Sequence, residues 1–209
     1  MTAREEMLRR VRDALKALPD DERTVTLPRH YRSHAPEDRP AIVEMFAERL
    51  RESGARVVRA STRQIPAIVT EALNDHAIDS VVAPEGLPLE WLTAWAESDG
   101  HRVVTDHPLV AADEPDAVVT GCAGAVADSA TIVLDGGPGQ GRAATLAAGC
   151  HICIVRAEQI DATLPDVLDK LDPQRPITWF RGPTATADTD AVPVPTGQGP
   201  RRLVVVIVE

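Results

Sequence analysis

The sequence predicts an α/β protein built on a mostly parallel sheet with helices on both faces. Three observations predict it. From Ala41 onward, segments of helical period and of strand period alternate along the chain. Some strand segments are apolar almost throughout, as in "RLVVVIV" at 202–208, which suits a strand covered on both sides. Glycines stand where the helices should stop, as at Gly54 and Gly100.

Each element follows in order. Residues 2–18 place Met7, Leu8, Val11, Ala14, Leu15 and Leu18 at helical spacing, and Pro19-Asp20-Asp21 ends that helix. "TLPRHYRSHAPEDRP" (26–40) has prolines and no period, so it reads as extended, either a flexible linker or an arm draped over a neighbouring surface. The chain thus divides into an N-terminal helix and extended arm, 1–40, and an α/β domain, 41–209. "AIVEMFAERLRESGARVVRA" is an amphipathic helix followed by a strand at Arg56–Arg59. "IPAIVTEALNDHAIDSVVAP" repeats the pattern with a strand at Ser80–Ala83, and "PLEWLTAWAESDGHRVVTD" repeats it with a strand at Arg102–Thr105. "AVVTG" and "ATIVLDGG" are two further apolar runs ended by glycine. "GRAATLAAG" reads as a short helix before the strand "HICIVR", "ATLPDVLDKL" as a helix before "ITWF", and "RLVVVIV" as the last strand. In such sheets ligands sit beyond the carboxyl ends of the strands. The loop that follows "ITWF" is expected at such an end.

Composition narrows the function classes. Hydrophobic residues make up 44% and charged residues 26%, enough for an aliphatic core given only 3% aromatics. A net charge of -10 argues against nucleic acid, whose phosphates require clustered Lys and Arg. No apolar stretch approaches the ~20 residues that span a bilayer, so no membrane insertion is expected, and a cytoplasmic location follows. Cys122, Cys150 and Cys153 do not form the even-numbered framework of a disulfide-stapled domain.

Several motifs resemble chemistry without carrying it. "GGPGQGRA" (136–143) approaches the phosphate loop GxxxxGK[ST], but Arg142 replaces the lysine and Ala143 the magnesium-binding hydroxyl. A glycine loop beside a site is the reading that remains. "GCAGAVA" lacks the GxGxxG spacing of a dinucleotide site. In "CHIC", residues three apart on a strand point to opposite faces, so Cys150 and Cys153 converge only if Cys150 lies in the preceding turn. Buried structural cysteine is the expectation, and even with Cys122 there are too few thiolates for an all-cysteine cluster. Pro28 and Pro36 flank His30 and His34 and disfavour a metal-binding helix there. His107 and His151 read as packing or solvent residues. No nucleophile elbow GxSxG occurs.

The C-terminal segments "GPTATADTD" (182–190) and "GQGPRRLVVVIV" (197–208) resemble the signature of the LUD-domain family, in its lactate-utilisation protein C group. That signature reads approximately GPSxTADIE, then GVHGP and a final apolar strand. It places Gly182, Pro183, Thr184, Thr186, Ala187, Asp188, Gly199 and Pro200 on family positions, with Asp190 where glutamate is usual. "AVADSATIVL" resembles the family's A-x-A-E-T-G-T-x-V-L, which gives Asp128, Ser129 and Thr131 as counterparts, and Arg142 resembles the arginine opening the next helix. Gln198 replaces the family's histidine and Ala130 its glycine. Glutamine exchanges no proton near neutral pH.

The resemblance implies a three-layer, Rossmann-like α/β fold similar to the ribose-phosphate isomerase and CoA-transferase folds. It further implies a non-redox component that works beside iron–sulfur partner proteins in the oxidation of L-lactate to pyruvate, holding no cofactor and no metal itself. An independent enzyme acting on a sugar-phosphate or acyl-CoA-like molecule is the alternative, by fold analogy alone. The ligand-binding residues implied are Gly182, Thr184, Thr186, Asp188, Asp190, Ser129, Thr131, Arg142, Gln198, Gly199 and Arg201. The loop glycine permits close backbone approach, the threonines offer hydroxyls, and Asp188 fixes the loop or accepts a hydrogen bond. Backbone amides from Thr184 to Ala187 are expected to form an anion nest, with Arg142, Arg201 or Arg202 supplying charge for a small anionic ligand. The bland reading is that Thr184, Thr186 and Asp188 only cap a turn.

Overall fold

The computed structural model describes residues 2–16, 38–105, 115–182 and 199–209, without the side chains of residues 142–144. The chain forms two compact units, Met1–Tyr31 and Arg32–Glu209. In the first, helix α1 (Ala3–Lys16) carries the expected period and buries none of its residues. Its polar side is laced by ion pairs from Arg9 to Glu6 (2.8 Å) and to Asp13 (3.2 Å), which solvent screens and which add little to stability. The helix stop at Pro19 and most of the extended segment lie outside the described residues.

The second unit is ordered around one parallel sheet. Helix α2 (Arg39–Glu52) starts where the Asp38 side chain accepts a hydrogen bond from the Ala41 amide. Strands β1 (Arg56–Ala60), β2 (Ser80–Ala83), β3 (Arg102–Thr105), β4 (Ala117–Thr120), β7 (Cys150–Arg156) and β10 (Arg202–Val208) form six parallel strands in the order β1-β10-β7-β4-β2-β3. Along β10 the side chains alternate between two cores. Val204, Val206 and Val208 meet α3 (Ile65–Asp75) through Ile65, Val69 and Leu73, together with Leu92 and with Trp95 of α4 (Thr93–Ala96). Leu203, Val205 and Ile207 point the other way, onto Val43, Phe46 and Leu50 of α2. Helices therefore cover both faces, and the near-continuous apolar strands have the cause assigned to them above.

That second face also holds a second sheet. Strands β5 (Gly124–Val126), β6 (Thr131–Leu134), β8 (Ile160–Asp161) and β9 (Thr178–Arg181) line up in the order β8-β5-β6-β9. Its inner residues Ala125, Ile132, Leu134, Ile160 and Phe180 complete the core against α2 and β10. Its outer residues Val126 and Val133 are packed by Val167 of α6 (Leu164–Leu168). Here the structure corrects one expectation. The strand "ITWF" is β9, which pairs antiparallel with β6 and is no part of the parallel sheet. The loop after it is therefore not placed by the carboxyl-end rule.

The connections also fix a topological feature of the large sheet. β2 and β4 are neighbours, yet the chain leaves β2 through Leu92 and Trp95 on the α3 face, and leaves β4 into β5 and β6 on the opposite face. Between them lies the point where crossover direction reverses.

Candidate functional site

Of the residues singled out by the family motif, Ser129, Thr131, Gly182, Gly199 and Arg201 lie toward the amino edge of the parallel sheet, whereas Arg142 follows the glycine loop at its carboxyl edge. The turn from β5 to β6 is tied down by backbone bonds from Ala127 to Asp161 (2.8 Å) and from Asp128 to Ala162 (3.1 Å). Ala130 then takes φ +51, a left-handed conformation that costs a residue with a Cβ roughly 1–2 kcal/mol and suits the glycine of the motif better. Its burial at 2% exposure holds it there. Just beyond, the hydroxyls of Ser129 and Thr131 lie 2.9 Å apart. Thr131 is the cross-strand partner of Arg181, the residue before Gly182, where the loop begins.

Gly182 is required on two grounds. Its φ is +69, and a Cβ there would lie 2.7 Å from Ser53 Oγ and 3.2 Å from Ser53 O. Ser53 caps α2 three residues before β1, and β1 begins level with the start of β10. At the far end of the loop, Gly199 has φ +142, and the amides of Arg201 and Arg202 both donate to Gly149 O, at 3.0 and 3.1 Å. The structure thus brings Ser129, Thr131 and Gly182 together, and sets Gly199 and the exposed Arg201 where β10 begins. Arg142 opens α5 (Arg142–Ala147). Thr184, Thr186, Asp188, Asp190 and Gln198, with the expected amide nest, lie outside the described residues.

Behind β9 the structure holds a polar network that motif reading passed over. Thr120, His151 and Cys153 are all fully buried and share the face turned to the second sheet. Thr120 Oγ1 lies 3.7 Å from Cys153 Sγ as donor, so it accepts from His151 Nε2–H at 2.7 Å. This assignment leaves His151 Nδ1 as a buried acceptor with no partner, at a cost of about 1–3 kcal/mol. The Cys122 thiol reaches both Cys153 and Gln159 Oε1, at 3.6 Å for the latter. Hydrogen bonding from Cys122, aided by His151 and Thr120, holds the Cys153 thiol well below its ordinary pKa despite burial. Cys122, as the donor to Cys153 and as a buried group, is pushed well above. His151 meets Phe180 edge-on at 5.5 Å, and Phe180 stands two residues before Gly182. The strand that launches the loop is seated on this imidazole.

Comparison with known proteins decides the family. The LUD domain pattern matches residues 43–208. This chain belongs to the LUD-domain family. A Deinococcus radiodurans protein named "Lactate utilization protein C" is 36% identical over 182 residues, which cover 83% of this chain and 82% of that one. The crystal structure of a DUF162 family protein from the same organism superposes with a TM-score of 0.66 at 34% identity, covering 83% of this chain and all of that one. The chain is therefore a LUD-domain protein of the lactate-utilisation protein C kind.

In this LUD-domain protein the cysteines separate as strand alternation requires. Cys150 packs with the α3 core, whereas Cys122 and Cys153 pack with the opposite one, so the three thiols do not converge. Burial pushes the Cys150 pKa up from 9.0 to about 11. Between those values the folded state holds a proton that the unfolded state has lost, so stability falls as pH rises. From about pH 8 to about pH 10.5, Cys150→Ala should lose less unfolding free energy than the wild type, by about 2 kcal/mol. Urea titrations at the two pH values check this, and parallel losses would refute it.

Proposed function

We propose that this protein is a non-redox component of a lactate-utilisation system, acting with iron–sulfur partner proteins as L-lactate is oxidised to pyruvate. The observation that carries the reading is its 36% identity, over most of both chains, to the relative named "Lactate utilization protein C". Two features of the chain support it. The three cysteines are split between two faces, so they offer no common seat for a cluster, and the sequence has no dinucleotide fingerprint. The electrons taken from lactate then pass to a partner's centre. Residues 41–209 act as the LUD-like domain, with 1–40 as an accessory helix and arm. Unpaired cysteines suit a reducing, cytoplasmic setting. The Ser129–Thr131 hydroxyl pair, Gly182 and the loop that follows form the binding element for a small anionic ligand.

Complementation tests the reading. A strain lacking its own lactate utilization protein C, but retaining the iron–sulfur subunits, should regain growth on L-lactate when it expresses this chain. The purified chain alone should reduce no dye with lactate. Failure of a folded, well-expressed chain to restore growth, or lactate-dependent dye reduction by the chain alone, would overturn the proposal.

A further inference from the structure

The glycine loop "GGPGQG" plays no part in the amino-edge site, and the structure gives it a place of its own. It lies at the carboxyl ends of β2 and β4, where crossover direction reverses and where ligands of open α/β sheets characteristically bind. Two tight turns interlock there. Pro84-Glu85-Gly86-Leu87 closes through Leu87 N to Pro84 O at 3.0 Å, and Gly137-Pro138-Gly139-Gln140 through Gln140 N to Gly137 O at 3.1 Å. Each has a glycine at positive φ in its third position, +85 at Gly86 and +72 at Gly139, as such turns require. Gly139 N donates to Glu85 O, and Gly121 N, at the end of β4, donates to Gly139 O. A Cβ on Gly86 would lie 2.6 Å from Pro138 Cβ, so the two turns are in backbone contact.

The loop rests on a buried carboxylate. Asp135, 9% exposed, takes Gly137 N at 2.9 Å and Arg175 Nη1 at 3.0 Å, while its own amide donates to Gln140 Oε1 at 2.9 Å. That bond consumes the Gln140 carbonyl and leaves its Nε2 hydrogens as fixed donors. Between the turns is a cleft of about 400 Å³ bordered by Pro84, Glu85, Gly137, Pro138 and Gln140. It adjoins a second of about 340 Å³ that shares Pro84 and Glu85 and adds Leu87, Leu89 and Thr105.

We propose that this cleft binds a vicinal diol, the ribose of a nucleoside or a free sugar, with the Glu85 carboxylate accepting both hydroxyl hydrogens. A carboxylate at the end of a strand is suited to such bidentate acceptance. Gln140 Nε2 donates to the ring or a further hydroxyl, and Pro84, Pro138 and Leu87 give apolar walls to the flat part of the ligand. Arg175 is committed to Asp135, so among the described lining residues Glu85 carries the charge of the cleft and a phosphate on the ligand weakens binding. The site is independent of the lactate reading.

Calorimetric titration of the full chain with adenosine, 2′,3′-dideoxyadenosine, AMP and D-ribose tests this, and D-ribose separates the free sugar from the nucleoside. Adenosine or ribose should bind; adenosine should bind at least about a hundredfold more tightly than its dideoxy analogue, which lacks both hydrogen bonds to the charged group, and about tenfold more tightly than AMP, whose phosphate Glu85 repels. Glu85→Gln is an exposed change that leaves the fold intact, and should weaken the diol ligand by about tenfold while removing the penalty on AMP. Equal binding of adenosine and the dideoxy analogue, an unaffected Glu85→Gln protein, or no binding of either diol would overturn the proposal.

Discussion

Gly182→Ala will lower the unfolding free energy by about 2–4 kcal/mol, a sum of left-handed strain and steric displacement. The added Cβ meets three atoms of Ser53, at 2.7, 2.9 and 3.2 Å, one of which is a backbone oxygen. The serine side chain has no simple retreat, because its hydroxyl donates to Leu50 O at 2.7 Å and caps α2. Gly100 supplies the control. It has φ +90 and nothing within 4 Å of a built Cβ, so Gly100→Ala carries the strain alone, about 1 kcal/mol. Chemical denaturation of both variants separates the two causes. Equal losses would show that Ser53 yields freely and that the packing of the loop's first residue is not tight.

Phe46→Ala will cost about 3–5 kcal/mol, the usual range for emptying a buried aromatic position. Phe46 has no exposed surface and lies among Leu50, Ile132, Phe180 and Val205, so it joins α2, both sheets and β9 in one core. Met7→Ala, at a side chain 68% exposed on α1, should change stability by less than about 0.5 kcal/mol. A loss below about 1 kcal/mol for Phe46→Ala, in urea titrations read by circular dichroism, would mean that α2 is not docked as described.

The parallel sheet was legible because its strands are long enough to show period and burial, as in Cys150–Arg156 and Arg202–Val208. The second sheet was not. β5 has three residues and β8 two, too short for any periodicity to register, and both are defined by their neighbours rather than by their own composition. With β5 and β8 unseen, "ITWF" looked like one more parallel strand. The Thr120–His151–Cys153 cluster was half legible. "CHIC" on a strand puts His151 and Cys153 on one side, but that Thr120 stands opposite them depends on β4 lying beside β7 in a register that no local signal encodes. The Ser129–Thr131 pair was visible only through its family pattern, since a serine and a threonine before a strand ordinarily mean a turn.

The position of β10 has a consequence for synthesis. It separates β1 from β7, and its residues pair with Arg56–Ala60 on one side and Cys150–Arg156 on the other. On the ribosome, β1 is made early and must wait for Arg202–Val208 before it has a neighbour. At ordinary elongation rates that delay is on the order of ten seconds. Until it arrives, the edge of β1 and, once made, that of β7 have no strand to pair with, and the nascent chain depends on chaperones or on speed of final closure to avoid pairing with another copy. The strand that completes the sheet is thus also the step that ends its vulnerability.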